Sequence, residues 1–309
     1  MIRKHPDGAN AFFIRRYLLS SARAGLSHII DLLDLNTNNK ILLPSYIGIN
    51  DKEGSGVFDP ISAKKVGYEF YRLNKDLSID MDDLCEKIKD SSIRAVLLIH
   101  YFGFVQCDLE NIVKICQKNN LYLIEDCAHA FMSKYNNKCV GKFGDVSFFS
   151  LHKYLPIPDG GELVINNDKI KDPQITDNFI SEKTLRLLYQ YDMKLINQVR
   201  RKNYKFLSKK IEQIPGLDIL YKNLPPGIVP LNFPVIVKNR NRDDIYFKLL
   251  DKGIETTALY YRIIEQINKN QFPISYYVSD HILNLPIHQD ITQKDIIYLT
   301  KELKKIMDK

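Results

Sequence analysis

Residues 94–129 read RAVLLIHYFGFVQCDLENIVKICQKNNLYLIEDCAH, and their reading decides the fold. Arg94–His100 is a short apolar run that ends at a histidine, and Leu121–Glu125 is another. Runs so short and so uniformly apolar are the pattern of strands buried on both faces. Between them, Leu109–Gln117 spaces its apolar residues as a helix does. Strand, helix and strand within about thirty residues make a crossover joining parallel neighbours.

Outward from this unit the alternation continues. Ser21–Leu35 places Leu26, Ile29, Ile30 and Leu33 at helical spacing. Ile41-Leu42-Leu43, stopped by Pro44, reads as a buried strand, and Val66–Tyr71 as another. Asp80–Lys89 opens on acids and ends near lysines, as a helix dipole favours. Val146–Phe149 and Glu162–Asn166 add two strands. After Asn167 the pattern changes. Ser181–Leu207 reads as a long, polar, mostly helical stretch, and Pro215-Gly216 and Pro225-Pro226-Gly227 punctuate the chain beyond it. Phe233–Val237 reads as a strand, Arg242–Lys252 as a helix stopped by Gly253, and Asp295–Met307 as a last helix. The expected class is α/β. Residues 1–190 form a large domain with a mainly parallel sheet between helices, and residues 191–309 a smaller α+β domain.

Hydrophobic residues make up 45% and charged residues 26% of the 309, which excludes a disordered chain, a collagen-like chain and a small disulfide scaffold. Apolar runs fall far short of the roughly 20 residues of a membrane helix. Met1–Asp7 has no apolar signal core, so neither a membrane protein nor a secreted one is expected. The formal charge of +7 suits an anionic ligand. The charges are dispersed and no basic run lies between aromatics, so no nucleic-acid partner is expected. Arg200-Arg201-Lys202 reads as a solvated helix face. The 5 cysteines (Cys85, Cys107, Cys116, Cys127, Cys139) include no C-x-x-C pair and read as reduced thiols. Cys127 and His129 suit a metal by type, but nothing at the usual spacing completes a site, so no metal is expected.

In parallel sheets ligands gather at the carboxyl ends of strands. Here those ends are Pro44-Ser45-Tyr46, His100–Gly103, Asp126–His129 and Ser150–Lys153. The last belongs to FFSLHKYLPIPDGG, residues 148–161. The Lys153 amine can bond an aldehyde cofactor and the Ser150 hydroxyl its phosphate. Pyridoxal phosphate (PLP) needs both, together with a carboxylate against its ring nitrogen. Asp126, just past Leu121–Glu125, is placed for that. The alternatives are ordinary ones: Lys153 as a surface lysine, Asp126 as a helix cap, His129 and His100 as structural histidines, Arg23 as a solvated helix residue. Tyr260, Tyr261, Arg262 and His288 are substrate-contact candidates by position alone.

With these residues in view, the chain resembles the DegT/DnrJ/EryC1/StrS family of PLP-dependent sugar aminotransferases, which have the aspartate-aminotransferase fold (fold type I). The resemblance runs from about Ser20 to the C-terminus. It is carried in order by Leu43-Pro44-Ser45-Tyr46, His100-Tyr101-Phe102-Gly103, Glu125-Asp126-Cys127-Ala128-His129, Gly144-Asp145-Val146, the lysine segment with Gly160-Gly161, and Leu285-Pro286-Ile287-His288. It implies a large PLP-transferase domain in which Lys153 bonds the cofactor covalently and moves the proton during transfer. It further implies that Asp126 pairs with the pyridine nitrogen, His129 with the ring's phenolic oxygen, and Ser150 with the phosphate. Ser21-Ala22-Arg23 stands in place of the family's S-G-T at a helix start, which suits phosphate. Tyr46, or an aromatic of Tyr101-Phe102, is expected to stack on the ring. Three features depart from the pattern. Ser150 stands three residues before the lysine instead of five. S-G-T has become S-A-R. The G-x-N-x-R segment that reaches across the dimer has no clear counterpart between Asn167 and Asn203. The implied activity is amino transfer, with glutamate the expected donor, to a keto-sugar nucleotide in surface-polysaccharide or amino-sugar biosynthesis, by a cytoplasmic homodimer. The alternatives are a PLP-dependent dehydratase or other lyase, for which His152 beside the lysine is relevant, and a degenerate, non-catalytic member.

Overall fold

The computed structural model describes residues 15–308, so Met1–Asp7, where no signal core is expected, lies outside the described residues. The strands are β1 (Arg15–Leu19), β2 (Lys40–Pro44), β3 (Tyr68–Tyr71), β4 (Ile93–Ile99), β5 (Tyr122–Asp126), β6 (Lys134–Tyr135), β7 (Lys138–Cys139), β8 (Val146–Ser150), β9 (Gly161–Ile165), β10 (Leu217–Ile219), β11 (Phe233–Val237) and β12 (Ile282–Leu285). The helices are α1 (Ala22–Leu32), α2 (Phe58–Ala63), α3 (Met81–Lys87), α4 (Leu109–Lys118), α5 (Glu182–Leu188), α6 (Met193–Ile211), α7 (Arg242–Leu250), α8 (Pro273–His281) and α9 (Gln293–Asp308).

A 7-stranded sheet in the order β1-β9-β8-β5-β4-β2-β3 forms the centre. Neighbours from β3 to β8 are parallel, and β9 runs antiparallel to both β8 and β1. The apolar runs fix this. β8 and β9 are buried at every residue and β4 at all but Arg94, the state of strands covered on both faces. A 3-stranded antiparallel sheet, β10-β11-β12, follows in the C-terminal part. Helices α1, α3, α4, α5, α6 and α7 start on Ser21, Asp80, Asp108, Ser181, Asp192 and Asn241, whose side chains accept first-turn N–H groups. Each such cap stabilises a helix by about 1 kcal/mol.

Two expectations are corrected. Ser181–Leu207 is not one stretch: Asp192 caps a new helix, and the expected boundary at residue 190 falls in the break between α5 and α6. Arg200 is not on a solvated face. It is 2% exposed, stacks 4.7 Å over the Tyr154 ring, and donates to the Leu231 carbonyl (2.8 Å) and the Gln289 Oε1 (3.1 Å). These acceptors satisfy a buried guanidinium without a carboxylate, and the stacking on Tyr154, with Nη2 3.4 Å from its carbonyl, ties α6 to the turn that carries Lys153.

Gly161 joins that turn to the start of α1. A Cβ there would lie 2.0 Å from the Ser21 carbonyl carbon and 2.4 Å from the Ala22 nitrogen. The Gly160 N–H bonds the Ser20 carbonyl at 2.9 Å, and the Leu151 N–H bonds the Gly160 carbonyl at 2.9 Å. Because β9 is paired on both edges, it has nowhere to retreat. Gly161→Ala is expected to cost about 1–3 kcal/mol, the range of an overpacked interior. A urea titration reads this as a lower midpoint; an unchanged midpoint would show that the strand and helix part freely.

Candidate active site

A cavity of about 1210 Å³ opens where the strands end, lined by residues from the start of α1, the ends of β5 and β8, the loop after β2, and the 255–261 segment. Asp126, Lys153, His129, Ser150, Ser21, Ala22 and Arg23 all line it.

Asp126 closes β5 and is 3% exposed. Its Oδ1 accepts the Ala128 N–H at 2.8 Å, its one protein hydrogen bond among the described residues. Burial pushes its pKa up to about 6, against the opposing pull of that bond and of Lys153. A buried carboxylate so thinly partnered is one a cation would stabilise.

Lys153 stands on the turn after β8, with Nζ 2.9 Å from His129 Nε2. The lysine side chain is exposed along the cavity wall, but its amine is enclosed enough for desolvation to lower its pKa, with Asp126 and Glu53 pulling the other way. The direction of the shift follows from the enclosure. His129 is 2% exposed, and burial, reinforced by Lys153, holds its pKa well below the usual value, so the ring is neutral. The Phe102 N–H points at Nδ1, at a long 3.4 Å. Nε2 faces Nζ within hydrogen-bond distance, so the two side chains position each other whichever of them carries the shared proton. Phe102 stacks on the imidazole at 5.9 Å and 17° from behind.

Glu125, beside Asp126, has a different task. Burial would raise its pKa, but His100 at 3.0 Å and the N–H groups of Gly141 (3.0 Å), Phe143 (2.7 Å) and Gly144 (2.6 Å) bring it below the usual value. It clamps the loop before β8. His100, Glu125 and Cys127 gather within 4.8 Å and are metal ligands by type. With the carboxylate already accepting these bonds and burial pushing the Cys127 thiol up, the cluster is built as a clamp.

The helix start is shared between tasks. The Ser21 Oγ caps α1 by accepting the Ala24 N–H at 3.2 Å. Arg23 donates to the Glu53 carbonyl at 2.6 Å and lies 3.8 Å from Asp59, bridging to the loop after β2. Ser150 is 1% exposed, with Oγ 3.4 Å from His152 Nδ1.

Tyr46, expected at the cofactor ring, is fully buried and is not among the lining residues. Tyr101 and Phe102 are not among them either: the Tyr101 hydroxyl donates to the Tyr46 carbonyl at 2.6 Å, and both lie behind the wall. Among the aromatics that do line the cavity, Tyr260 is the one that packs near the His129 ring, at 6.2 Å. Of the other positional candidates, Tyr261 lines the cavity, Arg262 pairs with Asp51 at 2.7 Å, and His288 sits 3.3 Å from Asp290. The signal that was missed is Gly48, on whose backbone Tyr260 rests.

These residues fit PLP. The buried carboxylate has a single hydrogen bond, burial lowers the pKa of the lysine amine, and α1 begins at the same cavity. A mainly parallel sheet with one reversed strand, carrying this aspartate and this lysine at its strand ends, defines the aspartate-aminotransferase class of fold. The sequence profile of the DegT/DnrJ/EryC1/StrS aminotransferase family matches residues 71–177 and 190–304. The chain belongs to that family. It is 27% identical over 268 residues to GDP-perosamine synthase of Escherichia coli O157:H7, covering 75% of this chain and 70% of that protein. It is 25% identical over 281 residues to UDP-4-amino-4,6-dideoxy-N-acetyl-beta-L-altrosamine transaminase of Campylobacter jejuni, covering 78% and 73%. Among solved structures, Spr1654 from Streptococcus pneumoniae in its PLP form superposes with a TM-score of 0.80 at 16% identity, over 95% of this chain and 87% of that one.

Proposed function

We propose that the chain is a PLP-dependent aminotransferase that transfers an amino group from glutamate to a keto-sugar nucleotide in amino-sugar or surface-polysaccharide biosynthesis. The observation that carries it is a lysine amine 2.9 Å from His129 and a buried, thinly partnered aspartate on one cavity. Family membership and the nucleotide-sugar relatives support the substrate class. The same reading includes a cytoplasmic homodimer; Phe179, Tyr189 and Leu195 are exposed apolar side chains that a partner copy would cover.

PLP, when bound, supplies an aldehyde that takes up amines and a ring that accepts electrons as a proton leaves carbon. Asp126 offers its carboxylate to the ring nitrogen and keeps that nitrogen protonated. His129, with Nε2 2.9 Å from Nζ, orients Lys153 and would be the side chain available to the ring's phenolic oxygen. The first N–H groups of α1, with Ser21 and Ser150, offer donors to phosphate. In its uncharged form, which burial favours, the Lys153 Nζ accepts the proton from the donor's α-carbon and holds it until it is returned.

Mixing the PLP-loaded protein with L-glutamate, without sugar, is expected to replace the absorbance of the aldehyde form by that of the amine form. Absence of that change with glutamate and other amino acids would sink the aminotransferase reading and favour the lyase. Failure of a folded protein to take up PLP at all would favour a non-catalytic member.

A further inference from the structure

We propose that Tyr260 is the aromatic side chain that covers the cofactor ring, delivered from the C-terminal part of the chain into space that Gly48 leaves open. This role rests on the PLP reading of the cavity and adds a positioning residue to it.

A Cβ on Gly48 would fall 1.9 Å from Tyr260 Cδ1 and 2.1 Å from Cγ. Gly48 is not in the left-handed region of backbone space, so its conformation does not call for glycine. What calls for it is room: the Tyr260 ring lies where any side chain at 48 would project. The two positions form one complementary contact between the end of the loop after β2 and the 255–261 segment.

The ring is held from several sides. The Tyr260 N–H bonds the Tyr46 hydroxyl at 2.6 Å. Its carbonyl accepts from Ser279 Oγ at 2.8 Å, and the preceding Leu259 N–H bonds Asn284 Oδ1 at 2.7 Å. Tyr46, Ser279 and Asn284 are 0%, 3% and 1% exposed, so this frame is rigid. Tyr46 packs its ring 5.5 Å from that of Tyr260. The result is an aromatic wall 6.2 Å from the His129 ring, on a cavity it shares with Asp126 and Lys153. Burial, and then the charge of Asp126, resist ionisation of its phenol, so the ring presented there is neutral. A flat, uncharged ring fixed beside the aspartate and the lysine is what a planar heterocycle packs against. Tyr46, which the sequence placed at the cofactor, acts through Tyr260.

The test is PLP affinity, titrated by absorbance, with circular dichroism of the bound cofactor as a second readout. Tyr260→Leu, which keeps bulk without a ring, is expected to weaken PLP binding by about tenfold and to alter the dichroic band. Tyr260→Phe is expected to stay within about twofold of wild type, because the ring and not the hydroxyl makes the contact. Gly48→Ala is expected to weaken binding in the wild-type background and to have little effect in Tyr260→Ala, which removes the atoms the new Cβ would strike, a non-additivity that marks shared space. Wild-type affinity and an unchanged band in Tyr260→Leu would overturn the proposal, as would additive effects of Gly48→Ala and Tyr260→Ala. If wild type itself takes up no PLP, or carries it elsewhere than Lys153, the underlying reading fails and not this one alone.

Discussion

Lys153→Ala is expected to lose turnover by about 10⁴-fold or more, the upper range for removing a group that moves a proton in the rate-determining step. The same variant loses the covalent handle, so borohydride treatment of the PLP-loaded protein, followed by peptide mapping, should label Lys153 in wild type and no residue in the variant. Lys153→Arg is expected to be as inactive, because a guanidinium stays charged and cannot accept the proton. His152→Ala is expected to keep the label on Lys153. His152 lines the same cavity, but it is Lys153 that meets His129 at 2.9 Å. The pH profile carries the same signature. Burial lowers the lysine pKa, so the rising limb of kcat/KM should lie below the ordinary lysine value of 10.5. A pyridoxyl label on another residue, or turnover surviving in Lys153→Ala, would sink the assignment.

The strands β2, β4, β5 and β8 are legible in the sequence because each is a short, mostly apolar run buried at nearly every residue. β1 is not. Arg15–Leu19 is mostly half-exposed, sits at the sheet edge, and is held through Arg16 and Glu162 by a strand far along the chain. The break between α5 and α6 has no glycine or proline; only the side chain of Asp192 marks it. The same divide runs through the site. Lys153, Asp126, His129 and Ser150 stand at strand ends, and chain-local order alone brings such positions to one edge of a parallel sheet. Tyr260 reaches that edge from the C-terminal part, and Gly48 has no conformational signature to announce the contact. Tyr46 follows its strand end as expected, yet the Tyr260 backbone bonds its hydroxyl and covers it. Arg200 reads as a surface cation because its acceptors, at Leu231 and Gln289, are remote in sequence.

Asp126→Asn separates stability from function. Asp126 has its pKa raised from 3.8 to about 6 by burial, so the cofactor-free fold prefers it protonated. The folded state therefore binds more protons than the unfolded state between those values. The stability this provides is fully present below about pH 4 and lost as pH rises through about 6. Above that the buried charge costs on the order of 2 kcal/mol, which an amide does not incur. Asparagine keeps an oxygen for the Ala128 N–H. Cofactor-free Asp126→Asn should thus match wild type near pH 4 and exceed it in melting temperature at pH 8, while binding PLP more weakly and losing about 10²-fold or more in turnover. Saturating PLP should reverse the order, because the ring cation then partners the wild-type carboxylate and has no partner in the amide. The opposite result in the cofactor-free protein, a less stable Asp126→Asn at pH 8, would mean that the charge is already satisfied within the chain. Asp126 would then be half of an ion pair with Lys153 and not the unpartnered carboxylate that the ring nitrogen needs.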